Sequence, residues 1–210
     1  MDPAKVRTLD DLLEAIDARP RDLEGRKTFD DAVWASRGTE GCVLVTDLSG
    51  FTKSTRIHGI VHFLSIFRRA AKVCVPIIGE HGGLLLKQEA DDLIGTFPTA
   101  AAAVHAAIAM LESIRALNIG LDEDEQIGMC IGVEFGRFLC LEDDCFGDPA
   151  NTAFKLGEDV AEVGEILVGA EAMRQVKAAG FELSNLVVDG PRTVKTGNVD
   201  VEHWSIRLSS

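Results

Sequence analysis

No apolar run in this 210-residue chain reaches membrane-spanning length, and the most apolar region, 57–78, is interrupted by His58, His62, Arg68, Arg69 and Lys72. No membrane segment is therefore expected. The first residues, MDPAKVRTLDDLLEA, lack the basic-then-apolar layout of a secretory leader, so a cytoplasmic location is expected. Basic residues are scarce: 21 Lys and Arg stand against 34 Asp and Glu, a formal net charge of -13. A phosphate backbone is repelled by such a surface, so no sequence-independent binding of nucleic acid is expected. Single nucleotides remain open, because divalent cations screen their phosphates locally. C-x-x-C is absent, and the five cysteines (Cys42, Cys74, Cys130, Cys140, Cys145) are odd in number, which predicts buried reduced thiols. His58 and His62 stand one helical turn apart, but HGIVH lacks the Glu of HExxH, which argues against zinc. No GxxxxGK[ST] accompanies the DLSG at 47–50, so the DxxG of a GTPase is not its reading. Internal repeats and low-complexity tracts are also missing.

What is present centres on residues 42–55, CVLVTDLSGFTKST. Val43, Leu44 and Val45 form a short apolar run that ends in Asp47. A strand buried on both faces reads as continuous apolar residues, so an acid at its exit leaves the core for a cleft. Ser49-Gly50 breaks the strand, and Phe51-Thr52-Lys53-Ser54-Thr55 opens a helical pattern. A carboxylate, a glycine turn and free helix-start amides suit a metal ion together with a phosphate. The plainer alternative is an Asp that starts a turn or caps the helix.

Residues 1–40 read as a helical amino-terminal extension, a docking or dimer-supporting segment, ahead of a domain over 41–210. Leu9, Leu12, Leu13 and Ile16 recur at helical spacing up to Pro20, and a second helix is predicted over 29–34. A loop over 37–41 precedes the first core strand. After Thr55 one long helix is predicted to about Gly79, with Ile60, Phe63, Leu64, Phe67, Ala70, Ala71, Cys74 and Ile78 on its apolar face. The segment 84–97 reads as a hairpin with its turn at 89–92, carrying Lys87 in its first strand and Asp91 on the turn. An alanine-rich helix runs from Pro98 to about Leu117. Residues 127–141 read as a second hairpin turning near Gly136. A helix over 150–163 carries Asn151 and Lys155 on one face. Strands near 165–168, 183–188 and 201–206, with a helix over 171–178, complete the chain. The predicted class is α+β: a ferredoxin-like βαββαβ core with additional αβ units.

Three segments in this order, VLVTDLSGFT, GGLLLKQEADDLIGTF and DCFGDPANTAFKLGED, resemble the class III nucleotidyl (adenylate/guanylate) cyclase catalytic domain over about 41–206. The resemblance implies Asp47 and Asp91 as ligands of two Mg²⁺ or Mn²⁺ ions, in a hairpin where Ala90 replaces the usual Gly and Asp92 adds a second carboxylate. It implies Lys87 and Asp144 as readers of adenine, Asn151 as the residue positioning the ribose, and Lys155 where an Arg normally stabilises the transition state. Backbone amides of Ser49, Gly50, Phe51 and Thr52 are implied as the phosphate cradle, and Lys195 as a triphosphate contact. The implied activity is conversion of ATP to 3′,5′-cyclic AMP and pyrophosphate, slowed by Lys155, at sites shared across a head-to-tail homodimer. The alternative is a weak or silent domain of this fold that binds a nucleotide or other ligand and regulates a partner.

Overall fold

Val43, Leu44 and Val45 are fully buried because strand β1 (Gly38–Leu48) runs between two antiparallel neighbours inside an eight-stranded sheet. A computed structural model describes residues 2–196 and 199–209, the side chains of Thr52, Lys53 and Thr196 excepted. The further strands are β2 (Leu84–Glu89), β3 (Asp92–Phe97), β4 (Met129–Cys140), β5 (Cys145–Phe146), β6 (Glu165–Gly169), β7 (Leu186–Thr196) and β8 (Val199–Leu208). Their order is β2-β3-β1-β4-β6-β8-β7, with β5 folded back on the end of β4. The helices are α1 (Leu9–Asp17), α2 (Leu23–Arg37), α3 (Phe51–His58), α4 (Ile60–Glu80), α5 (Ala100–Leu117), α6 (Asp148–Phe154) and α7 (Ala170–Ala178). The first four long strands with α3–α4 and α5 form the expected βαββαβ core, and β6, α7, β7 and β8 are the added αβ units.

Side chains alternate across a strand, so β1 serves two cores at once. Cys42, Leu44 and Leu48 face α4, α5 and α7, whereas Val43 and Val45 pack with Leu86, Ile94, Ala150 and Ala153 on the α6 side. Asp47 continues the second series and emerges on the α6 side. There the helix lies against bare backbone. A Cβ on Gly132 of β4 would stand 2.0 Å from the Ala153 carbonyl oxygen, and one on Gly157 would stand 3.1 Å from that of Val45. Only glycine admits that approach. Helix α5 is long and apolar enough by length and composition to cross a bilayer, a test that a core helix also passes, and 44% of its residues are buried in this fold.

Five local expectations are corrected. The loop over 37–41 is strand, because Gly38–Gly41 ladders onto Leu139–Gly136. For the same reason no hairpin turns at Gly136: β4 passes straight through it, and the reversal comes at 141–144. Tertiary pairing overrides the glycine signal here. The single helix over 55–79 breaks at Gly59, which re-phases the second piece and leaves Ile60 46% and Leu64 49% exposed. The helix over 150–163 becomes a π-helical turn at Lys155–Val160. Helix α2 is longer than expected at both ends, and its first turn is capped by Asp22, which accepts the Gly25 N–H.

Ala90, in the turn between β2 and β3, holds φ 48°, and among the described residues no other non-glycine has a positive φ. A Cβ in that region costs roughly 1–2 kcal/mol. Ala90→Gly is therefore expected to raise the unfolding free energy by about 1 kcal/mol in urea titration, after the greater chain entropy of glycine is set against it. A lower stability in that variant would contradict the strain.

Candidate active site

Asp47, Asp91 and Asp92 come together although the first two stand 44 positions apart in the chain. Each offers a carboxylate oxygen, and these oxygens lie within 4.8 Å of one another. The sheet register explains it. Val45 pairs with Ile94 and Thr46 with Leu93, so the next step sets Asp47 opposite Asp92, with Asp91 on the adjoining turn. Burial, with Asp91 beside it, pushes Asp47 up to about 6. Burial, with Glu158, Asp91, Asp47 and Glu89 around it, pushes Asp92 up to about 7. Asp91 is raised by burial as well. One oxygen of Asp92, Oδ1, is buried with no hydrogen-bond partner. A half-buried acidic cluster with an orphaned oxygen fits hard divalent ions such as Mg²⁺ or Mn²⁺.

The electrostatics carry a signed expectation. Asp47 and Asp92 hold protons in the folded protein that the unfolded chain releases near pH 4, so their contribution to stability is present below that pH. It is lost as pH rises through 6 to 7. In chelator, the unfolding free energy is expected to drop between pH 5 and 8 by about 1–2 kcal/mol from these groups, a figure reduced for their partial exposure. Mn²⁺ should restore it, so the rise in Tm on adding Mn²⁺ should be several degrees at pH 8 and small at pH 5. Equal rises at both pH values would refute cation binding by this cluster.

Next to the cluster, Gly50 takes φ 90° as the residue before α3 and supplies no side-chain cap to it. The Ser54 amide bonds back to the Gly50 carbonyl at 2.8 Å, while the first-turn amides of Phe51, Thr52 and Lys53 receive no side-chain cap. That is the arrangement a phosphate oxygen accepts. Ser49 donates its backbone N–H to the Gly128 carbonyl at 3.0 Å, and Ser49 and Gly50 border a cleft of about 690 Å³ shared with His58 and Asp124.

Lys87 and Asp144 form a second group. Lys87 Nζ donates to Asp144 Oδ2 at 3.2 Å and reaches Glu89 Oε2 at 2.6 Å. Glu89, then Asp144, raise the Lys87 pKa. Asp144 also accepts the Cys145 N–H on its other oxygen at 2.8 Å. Asn151 is exposed on α6, and Lys155 begins the π-turn with its ammonium on Asp159. Lys195 stands near the end of β7, opposite Asp200, four strands from β1; Gly197 beside it lies outside the described residues. One chain therefore holds the acids as one group and the Lys87–Asp144 pair as another, and does not bring Lys195 to the acids.

Two participants escaped the sequence reading. Glu89 falls in the predicted turn, yet it is an ion-pair partner of Lys87. Glu158 shares the charge field of Asp47, Asp91 and Asp92 and is itself raised, by burial first and then by Asp47. Its spacing of three from Lys155 was the available signal. The His58–His62 pair is engaged by the acidic loop, His62 lying 3.4 Å from Glu125 and His58 4.0 Å from Asp124. All five cysteines are free, and four of them are buried.

No protein-family model matches the chain. A protein of Rhizobium meliloti (strain 1021) named "Putative adenylate cyclase 3" is 30% identical over 127 residues, 60% of this chain and 21% of that protein. The chain thus spans about a fifth of that relative's length. Among solved structures, the adenylyl cyclase CyaB from P. aeruginosa superposes with TM-score 0.68 at 19% identity, covering 83% of this chain and 96% of the other. The guanylyl cyclase Cya2 superposes with TM-score 0.67 at 22% identity, covering 82% and 94%. With the three motifs in order on this sheet and these likenesses beside them, the chain carries the catalytic-domain fold of the class III nucleotidyl cyclases.

Proposed function

We propose that the chain converts ATP to 3′,5′-cyclic AMP and pyrophosphate at sites shared by two copies arranged head to tail. The convergence of Asp47, Asp91 and Asp92 at the end of β1 carries this reading. Asp47 and Asp91, with Asp92 beside them, would hold two Mg²⁺ or Mn²⁺ ions per site. When bound, such ions supply positive charge to the triphosphate and lower the pKa of the ribose 3′-hydroxyl. In the reaction the 3′-oxygen forms a bond to the α-phosphorus, the bond from that phosphorus to the bridging oxygen breaks, and pyrophosphate leaves.

The chain's own groups do the rest. Amides at the start of α3 receive phosphate oxygens, and Asn151 orients the ribose. Lys87 donates to a purine ring nitrogen while Asp144 accepts from the adenine amino group. A site that leaves such polar partners unmatched rejects the wrong base strongly. Lys155 places a cation over the α-phosphate, where charge builds in the transition state. Lys195 lies four strand spacings from β1, about 19 Å across the sheet. That separation supports a site completed by a second copy.

Purified protein with ATP and Mn²⁺ is expected to yield cyclic AMP by mass spectrometry, and less product from GTP. Mixing an Asp47→Ala chain with a Lys87→Ala chain is expected to regain up to about a quarter of wild-type activity through one intact composite site. No recovery, with both variants folded and exchanging partners, would argue against shared sites. The second reading is a regulatory domain with little turnover. It is favoured by the Lys155 ammonium, which is already held by Asp159. Calorimetric binding of a non-hydrolysable ATP analogue with no product from ATP would select it.

A further inference from the structure

The segment before β1 is fastened to the hairpin that carries Asp144. Leu141 is 2% exposed and shares one apolar cluster with Val6, Leu12, Ala15, Phe29 and Val33. Glu142 donates its backbone N–H to the Arg7 carbonyl at 2.9 Å and receives the Arg7 guanidinium on its carboxylate at 2.7 Å. Asp143 accepts the Leu9 N–H at 2.9 Å, at the start of α1 and beside the capping box of Thr8 and Asp11. The turn then closes through the Leu141 N–H to the Asp144 carbonyl at 2.8 Å. Each of the three residues before Asp144 is thus tied to the amino-terminal helices, and Asp144 is tied to them.

We infer that this amino-terminal segment is the positioning element of Asp144, and through it sets which base the site accepts. The inference rests on the proposed reading of Lys87 and Asp144 as the base-reading pair. A recognition group must stay within about 0.5 Å of its productive place, held by neighbours that are themselves locked. The β4–β5 reversal is short and β5 has two residues, so beyond the Lys87 and Cys145 bonds to its carboxylate the sheet does little to fix the turn that carries Asp144. The extension supplies it from outside the sheet: a buried leucine, a backbone hydrogen bond and a helix start. Arg7 and Glu142 are largely exposed, and such a pair by itself contributes little. Its effect here is on geometry, acting together with Asp143.

The Arg7→Ala/Asp143→Ala variant touches neither nucleotide nor metal ligands. It is expected to weaken binding of a non-hydrolysable ATP analogue about tenfold and to reduce the ATP-over-GTP preference by a similar factor. Where turnover is measured, KM rises and kcat stays within about twofold. Mn²⁺ affinity is unchanged, and amide hydrogen exchange quickens at 141–145 and not in β1. Arg7→Lys/Asp143→Asn keeps a cation and an acceptor in place and should restore most of the affinity and preference. Unchanged preference with unchanged exchange overturns the proposal. So does a loss of KM and kcat together with faster exchange everywhere, which marks plain destabilisation. Asp144→Ala is measured alongside. If it leaves base preference intact while the double variant loosens 141–145, the base-reading role of Asp144 is what fails, and the selectivity role of the extension falls with it.

Discussion

Asp47→Ala is expected to lower cyclic nucleotide formation by at least about 10³-fold while the protein remains folded and, above pH 7, becomes more stable without metal. The two effects have opposite signs for one physical reason. Asp47 sits half-buried at the end of a core strand with Asp91 and Asp92 within 4.8 Å, and burial and that company push its carboxyl up to about 6. At pH 8 the metal-free protein must hold these charges close together, so removing one relieves repulsion. A cation bound there supplies several kcal/mol of charge stabilisation in phosphoryl chemistry, and each 1.4 kcal/mol is about a factor of ten in rate. Product assay by mass spectrometry and thermal unfolding in chelator and in Mn²⁺ read both effects. A variant that loses activity and stability together, with its Mn²⁺ response intact, would mean that Asp47 is a structural residue.

Lys155→Arg is expected to raise kcat on the order of 10- to 10²-fold with little change in KM. One well-placed donor to the developing charge is worth a factor of about 10²–10³. Lysine provides the charge but a single point donor, whereas the planar guanidinium can bridge two oxygens. In this chain the Lys155 ammonium is also engaged by Asp159 one helical turn on, an intrachain partner that competes with the substrate for it. A guanidinium has donors enough to serve both. Steady-state kinetics at saturating Mn²⁺ measure the change, and unchanged or lower kcat would count against Lys155 lying over the α-phosphate.

Much of the core was legible because its signals are local. The apolar run at Val43–Val45 marks a strand buried on both faces, and it is one. Pro98 and the alanine run mark a helix there, and α5 starts two residues later at Ala100 with Thr99 accepting the Ala102 N–H. Lys87 on a strand and Asp91 on a turn follow from the hairpin pattern, and both sit there. Where the reading failed, long-range pairing decided. Gly136 and the glycines at 38 and 41 carry turn signals, yet they are strand because β1 and β4 ladder over their whole length. Gly59 falls inside the predicted helix and is a break, its φ of 89° ending α3 and starting α4.

The sequence by itself determined which residue types are available for the chemistry and in what order: an acid leaving a buried strand, a hairpin with Lys87 and Asp91, and a glycine turn that opens a helix. Only the tertiary structure decided their company. Asp92 joins Asp47 because antiparallel register sets them opposite each other. Glu158 enters their field because two facing glycines let the α6 segment lie against the sheet. The amino-terminal helices reach Asp144 because Leu141 needs cover that its own short hairpin does not give. Local composition sets strand and helix, but a charge acts on whatever lies within a few ångströms, and that neighbourhood exists only once the chain has folded.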